Sequence, residues 1–387
     1  MIDIAFVRSN SVIHDARALK ILRSLTKRYS TLILGWNREG YNNMEIVGLK
    51  SEITGKSDQK HDVHTRILGL QAPIGKRSLY SYASMLIYFP VFWTWILLNL
   101  LRYRPGIVHA CDLDTILPCY IYKIMFHSKL VFDVFDRYAM TFIPINHKIL
   151  YRVVNEIEEY FCKRSDVLIA VGKNILNTFQ KRPLRCSIVT NYAEDHSLDI
   201  VERAEDGKLL LEYAGPVKQG RGLENIALAI TEMDNVEFFM FGPLVDKKLL
   251  DELLNTKNIT YKGFLPNEDY YKGLCNADAL VALYDPEGDL QRKSYDRSVH
   301  NKTFEAMMCG IPIITNVASD LVKSLNYGIV VNYNEIKEIK NAILLLKDNP
   351  ALRKQLGKNG RQAFLDKYNW GIVEKELFVI YEDLLNK

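Results

Sequence analysis

Asn301-Lys302-Thr303-Phe304-Glu305-Ala306-Met307-Met308-Cys309-Gly310-Ile311-Pro312-Ile313-Ile314-Thr315 decides the fold. The run predicts a short helix closed by Gly310 and followed at once by a buried strand. The helix N-terminus then opens on the carboxyl edge of a sheet, where α/β proteins bind ligands. Lys302 and Glu305 stand three residues apart and share one helical face. Together they set a phosphate-seeking ammonium beside a carboxylate suited to the diol of a ribose, with Asn301 and Thr303 in the same turn.

The same strand-and-helix alternation extends outward in both directions. After the signature's own strand, the second half reads as strands Leu209–Ala214, Val236–Phe241, Ile259–Lys262 and Asp278–Tyr284, separated by helical stretches. The first half offers strands at Ile2–Val7, Thr31–Gly35, Gly106–Ala110, Leu130–Phe135, Asp166–Val171 and Cys186–Thr190. Asp15 is a plausible cap for an amphipathic helix reaching Arg28, and a long helix is expected from His147 to Arg164 with a charged face of Glu156, Glu158, Glu159 and Lys163. The alternation lapses between Asn191 and Lys208, an acidic and polar stretch that reads as the linker. Two Rossmann-like halves follow, residues 1–200 and 201–369, and each predicts a parallel sheet covered by helices on both faces.

A chain of 387 residues suits two domains, and its 48% hydrophobic and 25% charged content is that of a globular protein. Fifty basic residues against 46 acidic ones leave a net charge of only +4, so bulk charge names no partner. The basic pairs Lys181-Arg182 and Lys247-Lys248 read as solvated helix ends, which argues against nucleic acid. Six cysteines lie far apart without zinc spacing, so most are expected to be reduced core residues. The chain opens on a strand rather than a signal peptide, which makes the cytoplasm the expected compartment.

Ser78 to Leu101 carries no charge and is flanked by Lys76-Arg77 and Arg102/Arg104. A single span would put strands of one sheet on opposite sides of a membrane, which topology opposes. Two readings stay open. One is a core helix whose Trp93, Leu97, Leu100 and Leu101 pack under the sheet; the other is a monotopic patch giving peripheral contact with the cytoplasmic face of a membrane.

Gly215-Pro216-Val217-Lys218-Gln219-Gly220-Arg221-Gly222 turns from a strand into a helix, so backbone amides and the helix dipole favour an anion there. Gly242 and the pair Phe264-Leu265 occupy strand-end turns at matching places in the next two units. In the first half, Asp112 sits at the carboxyl end of a strand and reads as a cleft residue. His109 reads either as a hydrogen-bonded core group or as an acceptor-side one, and Asp136 either as a helix cap or as a hydroxyl ligand.

The Asn301 to Pro312 run resembles the nucleotide-sugar signature of family-4 glycosyltransferases of the GT-B fold, the retaining group-1 enzymes. The likeness extends in order and spacing from Asp15-Ala16-Arg17 to Tyr368-Asn369-Trp370. It implies two Rossmann-like domains facing a central cleft, with a C-terminal helix, about 370–387, crossing back to the first domain. It also implies transfer of a sugar from a nucleotide diphosphate sugar to the hydroxyl of a glycan or a lipid-linked glycan. In that scheme Gly215, Gly220, Arg221 and Gly222 hold the diphosphate, Gly242, Phe264 and Leu265 line the base pocket, and Asn10, His109 and Asp136 lie on the acceptor side.

Three departures from the family pattern matter. Pro216 stands where a first phosphate-binding Arg is expected, with Lys218 the nearest substitute. Cys111 replaces a second His. Arg297 replaces the first Glu of the widest signature, in a long polar loop from Tyr284 to His300. Catalysis is expected to be electrostatic, carried by Arg221 and Lys302 with Glu305 and Asp112 in the site. The chain has no Asp-x-Asp motif, so neither a metal nor another cofactor is expected. A donor-binding inactive subunit and a GT-B epimerase remain the rival readings.

Overall fold

The computed structural model describes residues 2–10, 12, 15–37, 53, 66–71, 82–144, 146–196, 207–265, 267–288 and 301–386. Arg297 and the rest of its polar loop, 289–300, lie outside the described residues, as do Pro266 and most of the expected linker. The chain divides into two compact units, Met1–Asn191 with Val373–Lys387, and Tyr192–Ile372. The division falls earlier than residue 200 because Ala193 bridges to Asn369 and Tyr192 packs edge-on against Phe304, which ties both to the second unit.

The first unit is a seven-stranded sheet, β1 (Ile4–Arg8), β2 (Thr31–Asn37), β3 (Arg66–Gln71), β4 (Ile107–Cys111), β5 (Lys129–Val134), β6 (Val167–Ala170) and β7 (Arg185–Ile188), in the order β3-β2-β1-β4-β5-β6-β7. Every pairing is parallel, as between Ile4 and both Thr31 and Ile107. Such a sheet has no solvated face, which is why β4 and β6 are buried at every residue. Asp15 caps the Ala16–Thr26 helix by accepting from the Ala18 amide at 3.1 Å. Strand β3 went unanticipated; as an edge strand pairing on one side only, it carries a weak apolar signature.

The uncharged stretch forms the Tyr82–Tyr103 helix, with Pro90 inside it. Phe92, Ile96 and Leu100 are fully buried in the core under the sheet, while Val91 and Leu98 face outward. Among the described residues no helix is long and apolar enough to cross a membrane.

The Lys148–Arg164 helix departs from its expected charged face. Glu158 and Glu159 turn inward, Glu158 accepting from the amides of Tyr138 and Ala139 and Glu159 from those of Gln180 and Lys181. Both carboxylates flank the fully buried guanidinium of Arg137, which supplies their counter-charge. Ile149, Val153 and Ile157 take the outward positions instead.

The second unit is a six-stranded parallel sheet, β8 (Leu209–Ala214), β9 (Val236–Phe241), β10 (Ile259–Tyr261), β11 (Ala279–Ala282), β12 (Ile313–Thr315) and β13 (Gly328–Val330), ordered β10-β9-β8-β11-β12-β13. Edge strand β13, only three residues long and partly buried, was also not anticipated. The Trp370–Leu385 helix then crosses to the first unit, burying Leu377, Ile380 and Tyr381 there. The Tyr381 phenol meets His109 Nδ1, whose other ring nitrogen lies 3.2 Å from Asp133.

Candidate functional site

Strand order in the second unit reverses between β8 and β11: the chain leaves β8 toward β9 on one side and β11 toward β12 on the other. At such a reversal the loops at the carboxyl ends part and leave a crevice for ligand. Three glycines form the near wall by stacking backbone on backbone. The Gly215 amide donates to Phe241 O, and the Gly242 amide to Gly263 O, each at 2.9 Å. A Cβ on Gly242, whose φ is +136°, would lie 2.2 Å from the Gly215 carbonyl oxygen, so no other residue fits. Gly222, at φ +65°, sits against Leu283, and Gly220 O accepts the Asp285 amide at 3.0 Å. This brings Arg221 to the end of β11, its guanidinium 4.8 Å from the Tyr284 ring centre.

The far wall is the Asn301–Cys309 helix. Lys302 Nζ donates to Glu305 Oε2 at 2.8 Å, and the Tyr270 hydroxyl donates to the same oxygen at 2.8 Å. The ammonium also lies 2.5 Å from the Tyr270 oxygen, closing a three-membered cluster. Burial first, and then the charge of Glu305, push the Tyr270 phenol well above its ordinary pKa. It therefore remains a proton donor throughout the physiological range. Asn301 is exposed at the start of the helix, but Thr303 is fully buried beside Tyr327 and is not placed to touch a ligand, because its helical position faces the core. Phe264 is 62% exposed beyond β10, whereas Leu265 packs against the core.

Cys275 and Cys309, expected to be reduced, are joined as a disulfide with Cα atoms 4.7 Å apart. The bond ties the end of the Asn267–Cys275 helix, which carries Tyr270, to the end of the helix carrying Lys302 and Glu305. Cys111, Cys119, Cys162 and Cys186 are free thiols.

In the first unit the reversal lies between β1 and β4, and a charged knot occupies it. Arg8 bridges Asp15 at 2.9 Å and also pairs with Asp112, while its guanidinium covers the Phe135 ring at 4.1 Å. Asp112 adopts φ +63° and accepts the Phe135 amide at 2.8 Å, so it ties three strand ends together rather than facing open space. Burial pushes its carboxyl up to about 7 against the opposing pull of Arg8. Asn10 is engaged within its own loop, on Asp15 and the Val12 amide. Asp136 is exposed, and its amide approaches Asp112. Buried His109, held by Tyr381 and Asp133, takes the core reading and not the acceptor-side one. Among the described residues no group of three His, Cys, Asp or Glu could hold a metal.

Residues 223–375 match the family model described as glycosyl transferase-like. An uncharacterized glycosyltransferase of Methanocaldococcus jannaschii is 23% identical over 304 residues, covering 70% of this chain and 73% of that protein. Among solved structures, the sucrose-phosphate synthase of Thermosynechococcus elongatus superposes with a TM-score of 0.71 at 15% identity, over 100% of both chains. Anabaena HepE, solved in complex with UDP-glucose, gives 0.68 at 12% identity over 99% of this chain and 100% of that one. The chain has the GT-B fold, and residues 223–375 are glycosyl transferase-like.

Lys302, Glu305, Arg221 and the loop glycines, expected from the sequence, lie together on the second unit's crevice. The sequence reading missed Tyr270, which holds both charged members of the cluster, and Arg8, which organises the first unit's knot. Neither residue carries a local signal: Tyr270 meets Glu305 across 35 positions and Arg8 meets Asp112 across 104. The Asn267–Cys275 helix, with Tyr at positions 270 and 271, was the one hint available.

Proposed function

We propose that this chain binds a nucleotide diphosphate sugar on its second unit and moves the sugar to an acceptor hydroxyl with retention, without a metal. The observation that carries this reading is the Lys302–Glu305–Tyr270 cluster on the helix that follows the strand-order reversal. Glu305 accepts the ribose hydroxyls, while Lys302 and Arg221 neutralise charge growing on the departing diphosphate. The anomeric carbon's bond to the diphosphate oxygen breaks as a bond to the acceptor oxygen forms on the same face. The acceptor proton passes to a phosphate oxygen of the leaving group, so no side chain need act as base. UDP-glucose in the complex with HepE, a protein of the same fold, supports a uracil nucleotide as the first donor to try.

The test is a thermal-shift screen with a panel of nucleotide sugars and the free sugars as controls, followed by product analysis of the best binder. A true donor stabilises the folded protein by mass action, about 2.7 kcal/mol at a hundredfold excess over Kd. Transfer with retained anomeric configuration in the presence of EDTA is the expected result. Inversion, a requirement for metal, or no stabilisation by any nucleotide sugar overturns the corresponding part of the proposal.

A further inference from the structure

The first unit contains a cavity that the donor chemistry does not use. Its volume is about 880 Å³, within the roughly 300–1,000 Å³ typical of ligand pockets. Phe89, Trp93, Leu117, Ile157 and Phe161 help to line it, and although Arg152 and Glu156 also border it, almost no polar atom faces inward. Such a wall offers no partner for a peptide group or a sugar hydroxyl, whose burial there would go uncompensated. A saturated or polyprenyl hydrocarbon has no such requirement.

Two features give the cavity a direction. It is lined by Asp114, whose carbonyl accepts the Trp93 indole at 2.7 Å and whose carboxylate holds Ser9, so the cavity reaches the segments that follow β1 and β4. At its margin, Val153 and Ile157 both line the cavity and face solvent, and with Ile149 they form a stripe at four-residue spacing on the Lys148–Arg164 helix. Ile149 is 83% and Val153 50% exposed. Apolar surface thus runs unbroken from solvent into the cavity.

Charge follows the same direction. Lys148, Arg152, Lys163 and Arg164 of this helix are exposed, whereas Glu158 and Glu159 are turned inward and Glu156 is paired with Lys181 at 2.7 Å. The outward side of the helix is therefore cationic around an apolar stripe, which suits an anionic lipid whose tail enters between the cations.

We propose that this cavity holds the hydrocarbon chain of an anionic, lipid-linked acceptor, delivering its head to the β1 and β4 loop ends. The word acceptor rests on the transferase reading above; the lipid site itself does not. The Lys148–Arg164 helix, and not the Tyr82–Tyr103 helix, is then the membrane-facing element.

The experiment measures binding of n-alkyl β-glucosides from hexyl to dodecyl, each below its micelle-forming concentration, to the full chain by calorimetry. Affinity is expected to rise about fourfold per added methylene until the cavity is full. Val153→Arg, at an exposed position, should leave the melting temperature unchanged and weaken the dodecyl glucoside at least tenfold while barely changing the hexyl one. No dependence on chain length, or a dependence that Val153→Arg leaves intact, overturns the proposal. Binding to phosphatidylglycerol vesicles without binding of monomeric alkyl glucosides also overturns it, in favour of surface adsorption alone. Nucleotide-sugar stabilisation is measured on the same samples. If it persists while alkyl glucosides fail, only the lipid site falls; if alkyl glucosides bind and no nucleotide sugar does, the transferase reading falls and the lipid site stands.

Discussion

Tyr270 and Glu305 are 35 residues apart in sequence and one hydrogen bond apart in space, the phenol donating to Oε2 at 2.8 Å. Lys302 reaches the same carboxylate oxygen from the other side. The carboxylate is thereby fixed between a neutral donor and a cation, with its second oxygen left to meet a ligand. Tyr270→Phe removes the neutral donor and keeps the ring. It should weaken donor binding by about 10- to 150-fold, the value of one hydrogen bond to a charged group, which a titration of nucleotide sugar against protein fluorescence would measure. Unchanged affinity would mean that Lys302 alone fixes the carboxylate.

Glu305→Gln keeps the shape and discards the charge. Donor affinity should fall roughly 10- to 100-fold while the melting temperature moves little, because the glutamine carbonyl can still accept from Tyr270 and Lys302. A variant that melts early but binds donor normally once folded would show that Glu305 serves the helix and not the nucleotide.

Arg221 is expected to act on the leaving group. Arg221→Ala should cost about 2–4 kcal/mol of transition-state stabilisation, roughly 30- to 1,000-fold in kcat/KM. The loss should appear in kcat more than in KM, since the charge it meets grows during the reaction. Full activity in this variant would remove Arg221 from the site.

Gly242→Ala tests the glycine stack. The added methyl meets the Gly215 carbonyl at 2.2 Å from a backbone at φ +136°, so steric and conformational costs add. Urea unfolding should show a loss of about 2–4 kcal/mol together with loss of donor binding. Wild-type stability would contradict the backbone contact.

The carboxyl of Asp112, held up to about 7 by burial against an ordinary 3.8, makes the first unit pH-sensitive. As pH rises from about 4, the unfolded chain ionises this group before the folded one does. Ionisation therefore favours unfolding, and the stability due to Asp112 is lost progressively until about pH 7. Asp112→Asn removes that slope, so the stability of the variant relative to wild type should grow between pH 4 and 7, by at most about 4 kcal/mol, and level off above. Chemical unfolding at a series of pH values reads this directly; a difference independent of pH would mean that Arg8 keeps the carboxylate ionised throughout.

The fold was legible wherever burial on both sheet faces writes continuous apolar runs, as in Leu209–Ala214 and Val236–Phe241. It was illegible at the edge strand β3 and at β13, which is only three residues long and partly buried. In the site, Lys302 and Glu305 could be read because helical spacing links them locally. Tyr270, Arg8 and the inward turn of Glu158 and Glu159 could not, since each depends on a partner supplied by another element. The buried His109 shows the converse hazard: at a strand end beside Asp112 it looks like a site residue, but alternation along β4 points it into the core.

The partnership of His109 with Tyr381 sets an order of events during synthesis. The second unit, Tyr192–Ile372, is contiguous and can fold as soon as it has left the ribosome. The first unit, although translated earlier, must wait for the Val373–Lys387 segment before His109 gains its Tyr381 partner. The unit made first is thus completed last, and a released chain truncated before Tyr381 should leave His109 without its partner while the second unit is already folded.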